Sequence, residues 1–408
     1  EGASQTLGVG LSSMTSLAVS IEQRYDRLPD GSVWAPQFGY SFWTRYLEVF
    51  ERIRVVARVR DVAVVPAGWQ RGDGPGVSFF AFPYYVGPWD YLKRAWDVRQ
   101  AVRQALGPDD AVIMRLDSQL AACMFPLLKR DTRPYGVEVV VDPYDVFAPG
   151  SKHPLRPFFR WKFVSELKRQ CAGACAAAFV TERALQRRYP PSPTAFSTFY
   201  SSVELPTAGF ANGPRLNFGR EHTFTLVSVG AMEDVRKSQD IVIAAVAACV
   251  KRGLDIQLLL AGDGGYRTFF MDQAREVGVL QRTKFLGHLS LPDLRVCLDQ
   301  ADVFVLPSRG EGLPRATIEA MARGLPAIGS TVGGFPELLP SEDLVPPGDV
   351  DALVCKLQEV LRSPARMVRM SARNFKKAHE YAEDVLRARR HEFYTHVKER
   401  TEAWLKTR

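Results

Sequence analysis

From residue 223 onward, short apolar runs alternate with segments that repeat apolar residues every three or four positions. "FTLVSVG", "DIQLLLAG", "TKFLG", "ADVFVLP" and "LPAIGS" read as strands. Residues 238–251, 266–277, 291–300 and 314–323 read as the helices between them. In the first of these, Ile241, Ala244, Ala245 and Ala248 share a face, and Gly253 supplies the stop. Strands without polar alternation, separated by helices, predict a parallel sheet covered on both sides. Right-handed crossovers make that sheet doubly wound. Such sheets bind ligands beyond the carboxyl ends of their strands.

The first half reads likewise, with more irregular connections. "SLAVSI", "RVVARV", "VSFFAFPYY", "AVIMRL" and "GVEVVVDP" are predicted strands. "YSFWTRYLEVFERI" is predicted helical, with Phe42, Tyr46 and Phe50 about one turn apart. Further helices are expected around 89–106 and up to Lys129. Pro, Ser, Asn and Gly crowd 190–214, which places the linker near 205–214. The expected organisation is therefore a domain over 1–205, a second over 206–386, and a charged terminal helix over 387–408.

A chain of 408 residues suits two domains. The longest apolar runs, such as 241–250, are about half the ~20 residues that a membrane span needs. Residues 1–20 lack the basic start and apolar middle of a signal peptide, so a cytoplasmic location is expected. None of the six cysteines forms a Cys-x-x-Cys pair, and most sit in apolar helical stretches, so free thiols are expected. The net charge of +8 suits an anionic ligand, an acidic membrane surface or nucleic acid. No finger spacing and no RNA-binding signature accompanies it, so no nucleic-acid partner is expected.

The chemistry concentrates in "SRGEGLPRATIEAMARG", residues 308–324. A buried strand ends at Pro307, and 308–313 form the loop at its carboxyl end. Pro314 fits the first helical position, and Gly324 the cap beyond the last. Glu311 thus precedes a helix whose free N–H groups and dipole favour an anion by about 0.3–2 kcal/mol. Gly310 and Gly312 remove side chains that would block backbone approach to a ligand. A carboxylate accepts two hydrogen bonds side by side, which matches vicinal hydroxyls of a sugar or ribose. One loop–helix unit could therefore hold a phosphate on its amides and hydroxyls on Glu311 and Glu319. On the pattern alone, the alternative is a loop Glu favoured by the dipole and a surface-helix Glu.

"EGLPRATIEAMARGLPAIGSTVGGFPEL" closely resembles the Glu-x7-Glu region of the family 4 retaining glycosyltransferases. "SVG…KSQD", "LLLAGDGGYR", "TKFLGHLS", "ADVFVLPSRGEG" and "LVPPGDVDAL" follow the family's order, so the resemblance covers nearly all of 223–353. "PDGSVWAP", "FWTRYLEVFERIRVVARV" and "ALQRRYP" are more loosely similar to one bacterial branch. The resemblance implies an α/β GT-B fold: two Rossmann-like doubly wound domains facing a cleft, with the last helix crossing back to the first domain. It implies a retaining hexosyltransferase that uses a nucleotide sugar, UDP-linked by family habit, and needs neither metal nor cofactor. The acceptor would be a hydroxyl of a sugar, aminocyclitol or lipid-linked molecule. Another GT-B enzyme such as an epimerase, or a non-catalytic nucleotide-sugar binder, is the alternative.

Carried over by motif, Glu319 would bind ribose hydroxyls and Glu311 hydroxyls of the transferred sugar. Gly312, Leu313 and Pro314 would meet sugar and phosphate. Lys237 would hold the diphosphate, beside Gly230 at the end of the first strand of that domain. The family's arginine after that glycine is replaced by Ala231, which makes Arg236 a candidate substitute. The family's double-glycine loop near the start is replaced by "RLPDGSVW", leaving Gly31 as the loop candidate. His153, in "GSKHPLRP", reads as an ordinary loop histidine rather than the family's sugar-side one.

Other motifs mislead. "DVD" at 349–351 follows "PPG" and opens a helix, so Asp349 is expected to be an N-cap rather than a metal ligand. "GVGLSS", from Gly8, precedes the first strand, and "AGDGGYR" lacks the dinucleotide spacing. The latter is expected to line the nucleotide side of the cleft. In the first domain Tyr84, Tyr85, Asp117, Asp142 and Tyr144 follow strand ends and are the acceptor-side candidates. Residues 152–170 interleave Lys152, Arg156, Arg160, Lys162, Lys168 and Arg169 with Phe158, Phe159, Trp161 and Phe163. Such a helix either lies on an anionic membrane, placing the enzyme peripherally on the inner face, or is a solvated helix packed by its aromatics.

Overall fold

In a computed structural model, the structure describes residues 16–116, 118–146, 155–218 and 223–408. Asp117, Lys152, His153 and the "GVGLSS" segment lie outside the described residues.

The first sheet comprises β1 (Ser16–Arg27), β2 (Val33–Ala35), β3 (Arg52–Asp61), β4 (Gln70–Arg71), β5 (Val77–Phe82), β6 (Ala111–Leu116), β7 (Gly136–Val139), β8 (Ala176–Phe179) and β9 (Phe196–Phe199). Its parallel part runs β5-β3-β1-β6-β7-β8-β9. β6, β7 and β8 are buried along their whole length, as a sheet covered on both faces requires. β1 is longer than expected. Its pairing with β6 ends at Ser20; beyond a register shift between Ser20 and Arg24 it stays parallel to β3 as far as Arg27 and pairs antiparallel with β2 on its other side.

The second sheet has the order β12-β11-β10-β13-β14-β15, all parallel. Its strands are β10 (Phe224–Val229), β11 (Ile256–Ala261), β12 (Thr283–Gly287), β13 (Val303–Leu306), β14 (Ala327–Ser330) and β15 (Leu344–Val345). Each expected strand and helix from 224 to 330 is present within two residues of its expected bounds. Asp349 caps its helix, its carboxylate accepting the Ala352 N–H at 2.9 Å. Two doubly wound sheets and a terminal helix make the architecture expected for GT-B.

Two expectations fail in the first half. Residues 40–53 do not form one helix. A short turn of helix, Tyr40–Trp43, passes into a 3-10 turn, Thr44–Tyr46, and then a loop feeds β3. Phe42, Trp43, Tyr46 and Phe50 all point inward, which spans more of the circumference than one stripe of a helix. The expected helix over 89–106 breaks at Arg94 into Gly87–Lys93 and Ala95–Ala105. The six cysteines are free, but Cys355 is exposed rather than buried.

The last helix, Glu383–Leu405, lies on β6, β8 and β9 of the first sheet. Gly136 allows this approach, because a Cβ there would meet Val397 at 2.7 Å. Beneath the helix sits a buried ion pair, Arg115–Glu138. The Glu138 carboxylate also accepts from the hydroxyls of Tyr46 at 2.9 Å, Tyr200 at 2.7 Å and Tyr394 at 3.4 Å. Removing the carboxylate would leave a buried guanidinium without its counter-ion. Glu138→Ala is therefore expected to cost about 3–5 kcal/mol, read as a fall in the urea midpoint of the full chain. A loss well below 1 kcal/mol would show that the network carries little of the stability.

Candidate active site

The carboxyl edges of the two sheets face one another. A Cβ on Gly312 would lie 3.2 Å from the Val140 carbonyl oxygen, just past β7, and one on Gly310 would lie 3.8 Å from Asp145. The first approach is tighter than a side chain normally makes and the second is ordinary contact, so it is Gly312 that lets the second domain's loop come this close to the first domain. The loop is backed by Gly333, whose φ of +54° suits glycine and whose Cβ would collide with the Glu311 carbonyl at 2.1 Å. Gly334 N–H donates to the Gly312 carbonyl at 2.7 Å.

Lys237 and Glu311 meet at the ends of β10 and β13. The Lys237 ammonium donates to Glu311 Oε1 at 2.5 Å, and Ser308 Oγ donates to the same oxygen at 3.0 Å. The Glu311 side chain is only 8% exposed. Ser238, next to Lys237, is fully buried with φ +59°, a strained conformation for a residue other than glycine. Arg309 clamps this stretch: its guanidinium donates to the Val235 carbonyl and, through both Nη atoms, to the Asp240 carboxylate at 2.8 and 2.7 Å. Gly230 packs on the Lys237 stem, since a Cβ there would meet Cγ at 3.0 Å. The "AGDGG" loop lies against the same segment. A Cβ on Gly262 would stand 2.0 Å from the Gly230 carbonyl oxygen.

Glu319 is half-buried on the helix Arg315–Ala322, in a small cavity also lined by Glu204, Leu205, Leu294 and Arg295. Burial pushes its carboxyl up to about 7. Arg315 and Arg295 oppose the shift, and Glu204 adds to it. Leu313 and Pro314 are buried at the start of that helix. Arg236 points elsewhere: its guanidinium pairs with Asp234 at 2.6 Å and is 57% exposed.

On the first domain the candidates separate. Gly31 has φ +84° and sits in the exposed turn between β1 and β2, outside the parallel part of the sheet. The residues of β1 just beyond its pairing with β6 are Ile21–Gln23, where the register with β3 shifts. Tyr85 is buried under the Arg58 guanidinium, and Arg60 lies over Tyr84. Asp142 is buried and engaged with Arg188, the Tyr189 hydroxyl and the Tyr144 N–H. Tyr144 is 40% exposed, with Arg160 and Arg188 over its ring at 3.4 and 4.2 Å. Asp145, opposite Gly310, has a raised pKa from burial and from Asp142.

Two groups were missed by the sequence reading. Glu337, inside "GGFPEL", reaches across the cleft and accepts the N–H groups of Glu182, Arg183 and Ala184 at 2.6, 2.9 and 2.6 Å. It borders a cavity of about 400 Å³ with Arg183, Arg187 and Lys377. Glu22 pairs with Arg58 at 2.7 Å and accepts from Ser118 Oγ at 2.9 Å. A glutamate directly after the strand-like "SLAVSI" was the available signal. Among the described residues, no three His, Cys, Asp or Glu side chains are grouped to hold a metal. No described helix is long and apolar enough to cross a membrane.

Residues 223–363 match the family "Glycosyl transferases group 1". That region is similar to a group 1 glycosyltransferase domain. Protein CapJ of Staphylococcus aureus is 25% identical over 320 residues, 77% of this chain and 78% of CapJ. A GDP-mannose-dependent monoacylated alpha-(1-6)-phosphatidylinositol monomannoside mannosyltransferase of Corynebacterium glutamicum is 36% identical over 178 residues. That alignment spans 41% of this chain and 46% of the mannosyltransferase. The likeness in fold extends over more than nine-tenths of the chain. Sucrose-phosphate synthase from Thermosynechococcus elongatus superposes with a TM-score of 0.67 at 19% identity, covering 93% of this chain and 98% of that one. The lipopolysaccharide glycosyltransferase WaaG superposes with a TM-score of 0.60 at 14% identity, covering 93% and 98%. The fold is GT-B.

The Glu319 carboxyl makes the site pH-dependent. Its folded pKa is raised above the unfolded value, so its contribution to stability is full below the ordinary carboxyl range. That contribution is lost as pH rises through about 7. Carboxyl-carbon NMR of glutamate-labelled protein is expected to show one resonance titrating near 7 that disappears in Glu319→Gln. All glutamates titrating in the ordinary carboxyl range would contradict the burial assigned to Glu319.

Proposed function

We propose that the chain is a retaining glycosyltransferase of the family 4 type. It moves a hexose from a UDP-linked donor to a hydroxyl of a sugar, aminocyclitol or lipid-linked acceptor. The observation that carries this reading is the meeting of Lys237 and Glu311 at adjacent strand ends, at the mouth of a helix. In this structure each satisfies the other. A donor would part them: its diphosphate takes the ammonium, and a sugar hydroxyl takes the carboxylate. Both partners then keep a charge-assisted hydrogen bond, so little is lost on exchange. Gly230, Gly312, Leu313 and Pro314 frame the donor, and Glu319 receives the ribose hydroxyls once its cavity opens. No metal or cofactor is proposed.

The leaving diphosphate removes the acceptor proton on the face from which it departs. The protein's main task is to stabilise charge developing on that diphosphate, and Lys237 does so. Tyr144, with Asp142 and Asp145 beside it, is the proposed acceptor wall. Contact with an anionic membrane through 152–170, on the cytoplasmic face, belongs to the same proposal. Support for UDP comes from the superposable Anabaena HepE, solved in complex with UDP and glucose. The GDP-mannose-dependent relative favours GDP as the second donor to test.

Mass-spectrometric screening of UDP- and GDP-sugars for hydrolysis and transfer tests the reading. Nucleotide binding without turnover across sugar, cyclitol and lipid acceptors would leave a non-catalytic binder. Lys237→Ala is expected to lower turnover by about 10²-fold or more, as for losing one donor to transition-state charge. Arg236→Ala is expected to stay within about threefold of the parent, because an exposed pair with Asp234 contributes little. The reverse order would move the essential cation to Arg236.

Glu319→Ala and Glu311→Ala should differ in kind. The ribose contact is equal in ground and transition states, so Glu319→Ala raises the donor KM, by about tenfold or more for a charged hydrogen bond. Glu311→Ala lowers kcat more than it raises KM. Steady-state kinetics separate the two. Equal effects within about twofold, far below the loss of a charged hydrogen bond, would remove the assignment.

A further inference from the structure

Seven tryptophans occur in the chain, and three of them are strongly exposed: Trp89 at 77%, Trp96 at 70% and Trp161 at 67%. All three lie on one flank of the first domain. Trp89 and Trp96 lie on the broken pair Gly87–Lys93 and Ala95–Ala105, and Trp161 on Arg156–Gly173. Leu92, Leu155 and Phe158 are exposed beside them at 60%, 57% and 53%. Burying such rings in the fold would be favourable, so their exposure calls for a partner.

The two segments are neighbours through one helix. Gln119–Arg130 packs on both Ala95–Ala105 and Arg156–Gly173. Tyr91, between the first two tryptophans in sequence, meets Cys123 of that helix at 3.5 Å. In a parallel sheet with right-handed crossovers, the connections β5 to β6, β6 to β7 and β7 to β8 lie on the same face. The amino ends of the helices on that face therefore stand at the carboxyl edge of the sheet, which is the cleft side. Arg160 over Tyr144 joins the patch directly to the cleft wall.

Charge identifies the partner. The segments 87–105 and 156–173 carry nine Lys and Arg against three Asp and Glu, a net +6 out of +8 for the whole chain. Exposed tryptophans ringed by cations match the interface of an anionic bilayer, where the indole sits at headgroup level and the cations meet the phosphates. A protein partner would need an acidic rim of the same shape. A bilayer supplies that rim at any position along the flank. We propose that 87–105 and 156–173 form one dock for an anionic membrane, which sets the mouth of the cleft at the lipid surface. The dock goes beyond the single basic helix by requiring Trp89 and Trp96, which lie about sixty residues earlier in the chain. It rests on the glycosyltransferase reading only for the use made of the lipid.

The test uses the full chain and vesicles of phosphatidylcholine with or without phosphatidylglycerol. The parent is expected to co-sediment at least about tenfold more strongly with the anionic vesicles, with tryptophan emission shifted to the blue. Trp89→Ser, Trp96→Ser and Trp161→Ser together should lose about tenfold or more of that binding. Trp89→Ser with Trp96→Ser alone should lose part of it. These side chains are exposed, so the melting temperature and acceptor-free hydrolysis of a nucleotide sugar should be unchanged. Failure of the dock is thereby separated from failure of the enzyme. Lys93→Gln, Arg94→Gln and Arg99→Gln should weaken binding to anionic vesicles only. Equal sedimentation of the parent with both vesicles would overturn the proposal. So would full binding by the Trp89→Ser, Trp96→Ser pair, or self-association of the parent that the substitutions abolish.

Discussion

Any side chain at position 312 would press on the Val140 carbonyl, and much of the molecule is arranged around that close approach. The loop 308–314 belongs to the second domain but lies on the carboxyl edge of the first. Gly312 clears the space in front, and Gly333 and Gly334 clear it behind. Glu337 then crosses the cleft and fixes the separation by accepting three successive N–H groups at 182–184. With the loop held there, the Glu311 carboxylate accepts from both the Lys237 ammonium and the Ser308 hydroxyl.

The second domain was legible because its physics is local. Apolar strands, helix stops at glycines and a proline at a helix start each act within a few residues, and each appeared where expected. Glu311 and Lys237 were found by motif, and their contact follows from adjacent parallel strands. The first domain was harder because its aromatics are buried on several faces. Phe42, Trp43, Tyr46 and Phe50 mimic a helical stripe, yet tertiary packing breaks the helix after one turn. Gly31 and Glu22 show the same limit. Where β1 parts from β6 depends on its continued pairing with β2 and β3, which nothing near residue 24 announces. Glu337 could not be placed because its partners lie more than 150 residues away.

Buried charge is used in two ways. In the first domain Arg115 and Glu138 are fully enclosed, with three tyrosine hydroxyls completing the carboxylate. That network ties the last helix to the sheet and leaves no lone pair for a ligand to claim. At the cleft the pair is incomplete. Glu311 is nearly buried, but a third of the Lys237 side chain remains open to solvent. An ion pair of that kind can exchange partners, whereas the enclosed network cannot do so without unfolding. Glu319 is the intermediate case, a carboxylate whose burial is relieved only when something polar enters its cavity.

The central claim is that Lys237 waits for the second phosphate of a nucleotide. Calorimetric titration of the full chain with UDP and with UMP addresses it without any acceptor. UDP is expected to bind about tenfold or more tightly than UMP, as one charge-assisted hydrogen bond supplies, and the difference should vanish in Lys237→Ala. Equal affinities in the parent, or a UDP preference that survives the substitution, would contradict the account.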